Sequence, residues 1–300
     1  MAHQAVARLS VKDYKSDLKP VWCPGCGDFG VVAAVYQALA KLGLDPDQTV
    51  LVSGIGCSSR LAGYVNTYSF NTIHGRALPI ATGVKLANPE LTVIVAGGDG
   101  DGFAIGTSHF VHTARRNVDL TYVIMDNGIY GLTKGQVSPT SPHDLVTKTS
   151  SYGNVEAPMN PVLMALTCGA TFIARAFSGD PKASQELLAA AIQHRGFSFV
   201  HMVSPCVTYR GREQFDVVRE HIRALPEGYD PTNREQARSI AFEDTERVIS
   251  LGTIFQADRP TLGDGHDRAR RKALARGPFT YDDVAHSFIP DYEAVAAAGR

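Results

Sequence analysis

The chain has 300 residues, 44% hydrophobic and 20% charged, with a formal net charge of -1. This suits one large α/β domain with extensions or two small domains, and it gives no basic field for nucleic acid. The start, MAHQAVARLSVKDYKSD, lacks a signal-peptide core, and no run reaches the roughly 18 apolar residues of a membrane span, so a cytoplasmic protein is expected.

Residues 1–20 are polar and read as an N-terminal arm. WCPGCGD follows, then FGVVAAVYQALAKLG, whose apolar positions recur at helical spacing up to a stop at Gly43. TVLVSG reads as a short buried strand. A Gly/Ser/Asn-rich loop is expected from Gly54 to about Ile73, then a helix over 77–88 that ends at Asn88-Pro89. LTVIVAGG and DLTYVIMDN read as buried strands, with a helix over 102–115 between them. The polar, Pro-rich stretch 138–161 reads as a long loop. ATFIAR, a helix over 181–195 and FSFVHMV resume the alternation, which weakens beyond Cys206. Strand, helix and strand in turn predict an α/β fold, a mostly parallel sheet with helices on both faces. We expect a main domain over 21–210 and a C-terminal extension over 211–300 that contacts a partner. The basic run DRARRKALARG in that extension is read as a solvated face or a partner-contacting arm.

One segment, GGDGDGFAIGTSHFVHTARRNVDLTYVIMDNG, carries chemistry in its order. A strand ends in Gly98-Asp99-Gly100, and the next strand ends in Asp126-Asn127-Gly128. Both polar tips then sit at the carboxyl ends of parallel strands, where open α/β sheets bind ligands. Mg²⁺ takes one or two protein oxygens plus phosphate oxygens, and Asp99 and Asn127 offer a carboxylate and an amide carbonyl. The glycines allow close approach of phosphate, and a helix from near Gly102 can offer N–H groups. The bland reading is a Gly-rich turn followed by an Asx-turn. A second GDG, Gly263–Gly265, follows no strand and is given no role.

Five cysteines in such a chain suggest metal or redox use more than disulfides. Cys23 and Cys26 are spaced to grip one metal, while Cys57 and Cys206 each follow a strand. Four thiolates suit tetrahedral zinc or a [4Fe–4S] cluster, and a CxxC alone also fits a thioredoxin-like pair. Cys168, in the apolar VLMALTCGATF, reads as an inert packed thiol.

GDG followed by Asn resembles the thiamine-diphosphate motif, although many members have a double Asn where this chain has Asp126-Asn127. WCPGCGDFG, GIGCSSR, HGRALPIATGVK, GGDGDG and DNGIYGLTKGQ stand in the order seen in β subunits of 2-oxoacid:ferredoxin oxidoreductases. The resemblance covers about Val21 to Cys206. It implies a thiamine-diphosphate-binding fold with Mg²⁺, one [4Fe–4S] cluster on Cys23, Cys26, Cys57 and Cys206, and coenzyme A as co-substrate. Ferredoxin would accept the electrons, and an α subunit would complete an α₂β₂ enzyme.

Carried over residue by residue, the resemblance puts Gly25, Cys26, Gly56, Ser58, Ser59, His74 and Gly98 beside the cofactor. It adds Asp99, Gly100, Asp101, Asn127, Ile129, Gly131, Leu132 and Thr133 to the same set. The backbone of Ile129 would complete the Mg²⁺ site begun by Asp99 and Asn127. Arg60 and His74, flanking the loop over the thiazolium end, would touch substrate as catalytic residues. GIGCSSRLAGYVNTYSFNTIHGR resembles the 2-oxoglutarate branch, implying oxidation of 2-oxoglutarate to succinyl-CoA and CO₂. The alternatives are the same chemistry on pyruvate or another 2-oxoacid, or a zinc-stabilised non-catalytic subunit.

Overall fold

The computed structural model describes residues 9–243 and 248–277. The helix α1 (Asp28–Leu42) follows the Cys-Pro-Gly-Cys turn. It buries Val31, Val32, Val35 and Leu39 along one stripe, and Gly43, left-handed at φ 61, ends it by donating to the last carbonyls. The strand β1 (Thr49–Ser53) is buried at every position, as expected of a strand covered on both faces. The chain continues through α2 (Leu61–Tyr64), β2 (Tyr68–Asn71), α3 (Ala77–Ala87) and β3 (Thr92–Gly98). A π-helical turn over Asp101–Ile105 leads into α4 (Thr107–Arg115), and β4 (Leu120–Asp126) follows. After a long irregular stretch come α5 (Pro161–Cys168), β5 (Phe172–Phe177), α6 (Pro181–Gln193) and β6 (Phe197–Val203).

Among the described residues these strands form one sheet, ordered β2-β1-β3-β4-β6-β5, parallel throughout this part. Successive side chains point to opposite faces, so each strand feeds two cores. Leu51, Ile94, Ala96, Val123 and Met202 pack beneath α1 and α6. Val52, Val93, Val95, Ile124 and Phe199 pack beneath α3, α4 and α5. The expected architecture is present.

Three differences from the sequence reading have physical causes. The Gly/Ser/Asn-rich loop contains β2, an edge strand whose Tyr68 and Phe70 are exposed, so it carries no buried run. The N-terminal arm is anchored: Tyr14 is fully buried and donates to the Leu44 carbonyl at 2.5 Å. The expected break near residue 210 is not a break in packing. The chain adds α7 (Gln214–His221), β7 (Ile222–Ala224), α8 (Arg234–Glu243) and β8 (Ile249–Gln256). The strand β8 pairs antiparallel with β5 and β7 pairs with β8, so the compact unit runs to Leu262. A second unit starts at Gly263. Its described part lies in α9 (Leu262–Ala275), which holds most of the basic run, buries no residue and absorbs the second GDG. The last stretch of the expected extension, 278–300, lies outside the described residues. No helix among the described residues is long and apolar enough to cross a membrane.

Candidate active site

A cavity of about 360 Å³ opens beyond the carboxyl ends of β1, β3 and β4. From the expected set it is lined by Gly56, Ser58, His74, Gly98, Asp99, Gly100, Asp101, Asn127, Ile129, Gly131, Leu132 and Thr133. Cys57, Tyr130 and Gln136 also line it. Three expected cofactor residues do not. Ser59 is buried behind the wall, where its carbonyl accepts from Ser53 Oγ and Asn71 Nδ2. Gly25 and Cys26 sit in the Cys-Pro-Gly-Cys turn, outside the lining. Arg60 is exposed and likewise absent from the lining, although its charge acts on Cys57.

Asp99 is buried at the centre of a network that sequence reading missed. Thr140 Oγ1 lies 3.0 Å from Asp99 Oδ2 and 2.7 Å from Asp126 Oδ1. One hydroxyl has one proton, so it serves one carboxylate at a time. Burial, then the charge of Asp126, pushes the Asp99 carboxyl well above the usual range. Burial would raise Asp126 as well, but His201, Thr140 and the Gly128 N–H outweigh it and hold Asp126 low. Arg175 Nε donates to His201 Nδ1 at 3.0 Å, which leaves the proton on Nε2, 2.8 Å from Asp126 Oδ2. The signal for Thr140 was faint: it is one of several hydroxyl residues in the Pro-rich loop, and only the fold brings it between the two acids.

Asn127 Oδ1 accepts the Ile129 N–H at 3.0 Å, so the Asx-turn of the bland reading is present. A carbonyl oxygen has two lone pairs, and one is left for a cation. Gly100 has a use beyond phosphate approach. A Cβ there would lie 2.1 Å from Tyr130 Cε1, and Tyr130 donates to the Gly100 carbonyl at 3.2 Å. The glycine is where an aromatic wall of the cavity rests.

Four cysteines gather at one edge of this cavity. The Cys-Pro-Gly-Cys turn is fixed to the Cys57 loop by Trp22 Nε1, which donates to the Cys57 carbonyl at 2.8 Å. It is fixed to the Cys206 loop by Gly27 N–H to the Pro205 carbonyl (3.1 Å) and by Ser204 Oγ to Asp28 Oδ1 (2.7 Å). Burial, then the charges of Asp28, Cys206 and Cys23, pushes the Cys57 thiol up to about 11. Cys26 is raised further by burial, Asp28, Cys206 and Cys57. Cys26, Cys57 and Cys206 are half-buried, and Cys23 is exposed at the mouth of the turn. A Cβ on Gly131 would lie 3.4 Å from Cys57 Sγ and 3.9 Å from Cys206 Sγ, so both sulfurs meet the cavity wall at Gly131, and Cys57 is itself part of that wall. Among the described residues, no three His, Cys, Asp or Glu side chains close on a single metal ion. Cys168 packs against the opposite core from Cys26 and Cys57.

Comparison with known proteins gives this arrangement a family. Residues 54–202 match the family described as thiamine pyrophosphate enzyme, C-terminal TPP binding domain. Residues 206–271 match the family described as the C-terminal part of the pyruvate ferredoxin oxidoreductase β chain, so the segment beyond Cys206 belongs to the same protein type. The chain is 48% identical over 290 residues to 2-oxoacid:ferredoxin oxidoreductase 2, subunit beta, of Aeropyrum pernix, covering 96% of this chain and 91% of that one. It is 39% identical over 255 residues to 2-oxoglutarate synthase subunit KorB of Methanocaldococcus jannaschii, covering 84% and 93%. A solved 2-oxoglutarate:ferredoxin oxidoreductase from Magnetococcus marinus, with 2-oxoglutarate, coenzyme A and succinyl-CoA bound, superposes with a TM-score of 0.87 at 44% identity, covering 94% and 96%. The chain belongs to the 2-oxoacid:ferredoxin oxidoreductase family, as a β subunit.

Proposed function

We propose that this chain is the β subunit of a 2-oxoglutarate:ferredoxin oxidoreductase. In this reading it holds thiamine diphosphate through Mg²⁺ in the cavity beyond β1, β3 and β4, and one [4Fe–4S] cluster on Cys23, Cys26, Cys57 and Cys206. The observation that carries the reading is the contact of the cysteine edge with the cavity wall at Gly131. Electron transfer needs donor and acceptor close together, and here the cysteine edge adjoins the cavity at Gly131 and Cys57.

The residues present fit both groups. Asp99 is a buried carboxylate pushed up by burial and by the charge of Asp126, and a divalent cation is the charge that would settle it. Asn127 adds a neutral oxygen, as Mg²⁺ sites with phosphate ligands require, and the Ile129 backbone stands beside it. Buried thiols disfavour the thiolate until a metal cluster supplies positive charge. Bound there, thiamine diphosphate would supply the carbanion chemistry a 2-oxo carbonyl needs for decarboxylation, a cluster would supply one-electron acceptance, and coenzyme A would be the acyl acceptor. Gly56, Ser58, Gly98, Gly100, Gly131, Leu132 and Thr133 shape the walls, and Tyr130 rests on Gly100 as part of the same wall. His74 faces the cavity as the side chain placed to handle a proton or hydrogen bond there.

The substrate reading draws support from the relatives that act on 2-oxoglutarate. A dicarboxylate brings a second charge that is costly to bury unpaired. Exposed beside Cys57, Arg60 can offer a planar fork to that carboxylate at a surface the partner would share. Assembly with an α subunit as α₂β₂, with ferredoxin as acceptor, belongs to the same proposal, as does a cytoplasmic location. The test compares 2-oxoglutarate with pyruvate on the native complex and on Arg60→Ala. We expect 2-oxoglutarate to be preferred, and the variant to lose about one to two powers of ten in kcat/KM on 2-oxoglutarate alone, the worth of one charged hydrogen bond. A native preference for pyruvate refutes the substrate. An equal loss on both substrates refutes only the clamp.

A further inference from the structure

We infer that Asp101 is a positioning residue that sets the tautomer of His74, so that the imidazole presents a bare Nε2 to the cavity. The inference rests on the proposed reading of the cavity as the cofactor and substrate site.

Asp101 is 2% exposed, and its Oδ1 is the meeting point of two loops. The Ile55 N–H donates to it at 2.9 Å and the Gly75 N–H at 2.8 Å. His74 Nδ1 lies 3.0 Å from the same oxygen. The other oxygen rests against backbone: a Cβ on Gly54 would stand 2.0 Å from Oδ2, and one on Gly97 3.2 Å. A side chain so enclosed is held by the loops at the wall of the cavity.

The His74 end is constrained as tightly. Gly75 has φ 70, and a Cβ there would meet Ile105 Cγ2 at 2.6 Å and the Gly106 nitrogen at 2.8 Å. The turn therefore lies directly on the π-helical stretch that follows Asp101. Arg76 Nη1 bridges the His74 and Ile105 carbonyls at 3.2 and 3.3 Å. Within this clamp His74 Nδ1 is buried, and the ring is off the line of a straight hydrogen bond, so the 3.0 Å approach to Asp101 is not yet closed. A buried imidazole nitrogen needs a partner, and catalytic hydrogen bonds often tighten only when the site is filled. A carboxylate only accepts, so Nδ1 must carry the proton. His74 lines the cavity with 38% of its side chain exposed, and a neutral ring with the proton on Nδ1 keeps Nε2 as its bare acceptor. The same logic operates wherever a carboxylate fixes an imidazole for work at its other nitrogen.

The test uses the assembled complex with histidine-selective ¹⁵N in this chain, and the variants Asp101→Asn, His74→Gln and both together. Asn keeps an oxygen for the two backbone N–H groups but can turn its amide N–H toward Nδ1. The His74 signal, assigned by its loss in His74→Gln, should report a proton on Nδ1 in the native complex and on Nε2 in Asp101→Asn. Turnover of the 2-oxoacid should fall about tenfold to a hundredfold in either single variant, the loss of one charge-assisted hydrogen bond, with KM and cofactor affinity within about threefold. The double variant should be no slower than the worse single one, because both act through one contact. A proton on Nε2 in the native complex, an unchanged tautomer in Asp101→Asn, or losses that multiply would each overturn the inference. Were the native complex to turn over no 2-oxoacid, the reading of the site would fall, while the tautomer would still decide the role of Asp101.

Discussion

At the scale of single residues, the site is governed by how buried charge is shared. Thr140 stands between Asp99 and Asp126 with one proton for two carboxylates. Thr140→Val removes that proton and should cost about 1–3 kcal/mol in the cofactor-free chain, the penalty of an unsatisfied buried group. Mg²⁺ with thiamine diphosphate should restore much of the loss, because a cation then screens the two acids. Melting temperatures with and without the pair check this, and a thermal shift no larger than that of the native chain would contradict it. Gly100→Ala tests the aromatic wall. Its methyl would stand 2.1 Å from Tyr130 Cε1, so the ring must swing away. We expect a loss of about 1–3 kcal/mol for overpacking, with weaker cofactor binding, and Tyr130→Ser in the same chain should recover the stability. Asp99→Ala should leave the diphosphate poorly neutralised, and cofactor affinity unchanged at limiting Mg²⁺ would rule out its role. Asp99, Asn127 and most of the glycines were legible in the sequence because a strand-turn-helix order announces them. Thr140, Tyr130 and His201 were not: Thr140 comes from the Pro-rich loop, and Tyr130 and His201 lie in segments read for their motif or strand, where only the fold shows what those two side chains touch.

At the scale of elements, legibility followed burial. The strands β1, β3, β4, β5 and β6 are covered on both faces and read as apolar runs. The edge strand β2 exposes Tyr68 and Phe70, and β8 pairs with β5 across a register shift at Ile173–Ala174, so neither leaves a continuous pattern. The convergence of the cysteines also belongs to this scale. Their loops leave three different elements, and Trp22, Gly27 and Asp28 pin those loops together. Replacing Cys206 by Ser in the complex should cost most of the cluster iron, whereas Cys168→Ser, on the opposite core, should keep it. Equal iron in both would remove Cys206 from the ligand set. Asp28→Ala should loosen the Cys206 loop through the lost Ser204 bond, lowering iron retention less severely than loss of a ligand.

At the scale of the whole molecule, the chain offers one thiamine-diphosphate-binding domain over 54–202 and a family-specific segment over 206–271 that extends the sheet through β8. Thiamine enzymes grip the cofactor between two domains, so the chain alone should bind it weakly and turn over no 2-oxoacid, and full activity of the isolated chain would contradict the partnership. The central claim is that the cavity and the cysteine edge work as one electron path through the wall at Gly131. Its most direct measurement is the visible absorption of the anaerobic complex as 2-oxoglutarate and then coenzyme A are added, without ferredoxin. A brown protein whose iron–sulfur band bleaches on these additions, and bleaches less in Asp99→Ala, is the expected result. A colourless protein, or a band that 2-oxoglutarate leaves untouched, would contradict the claim.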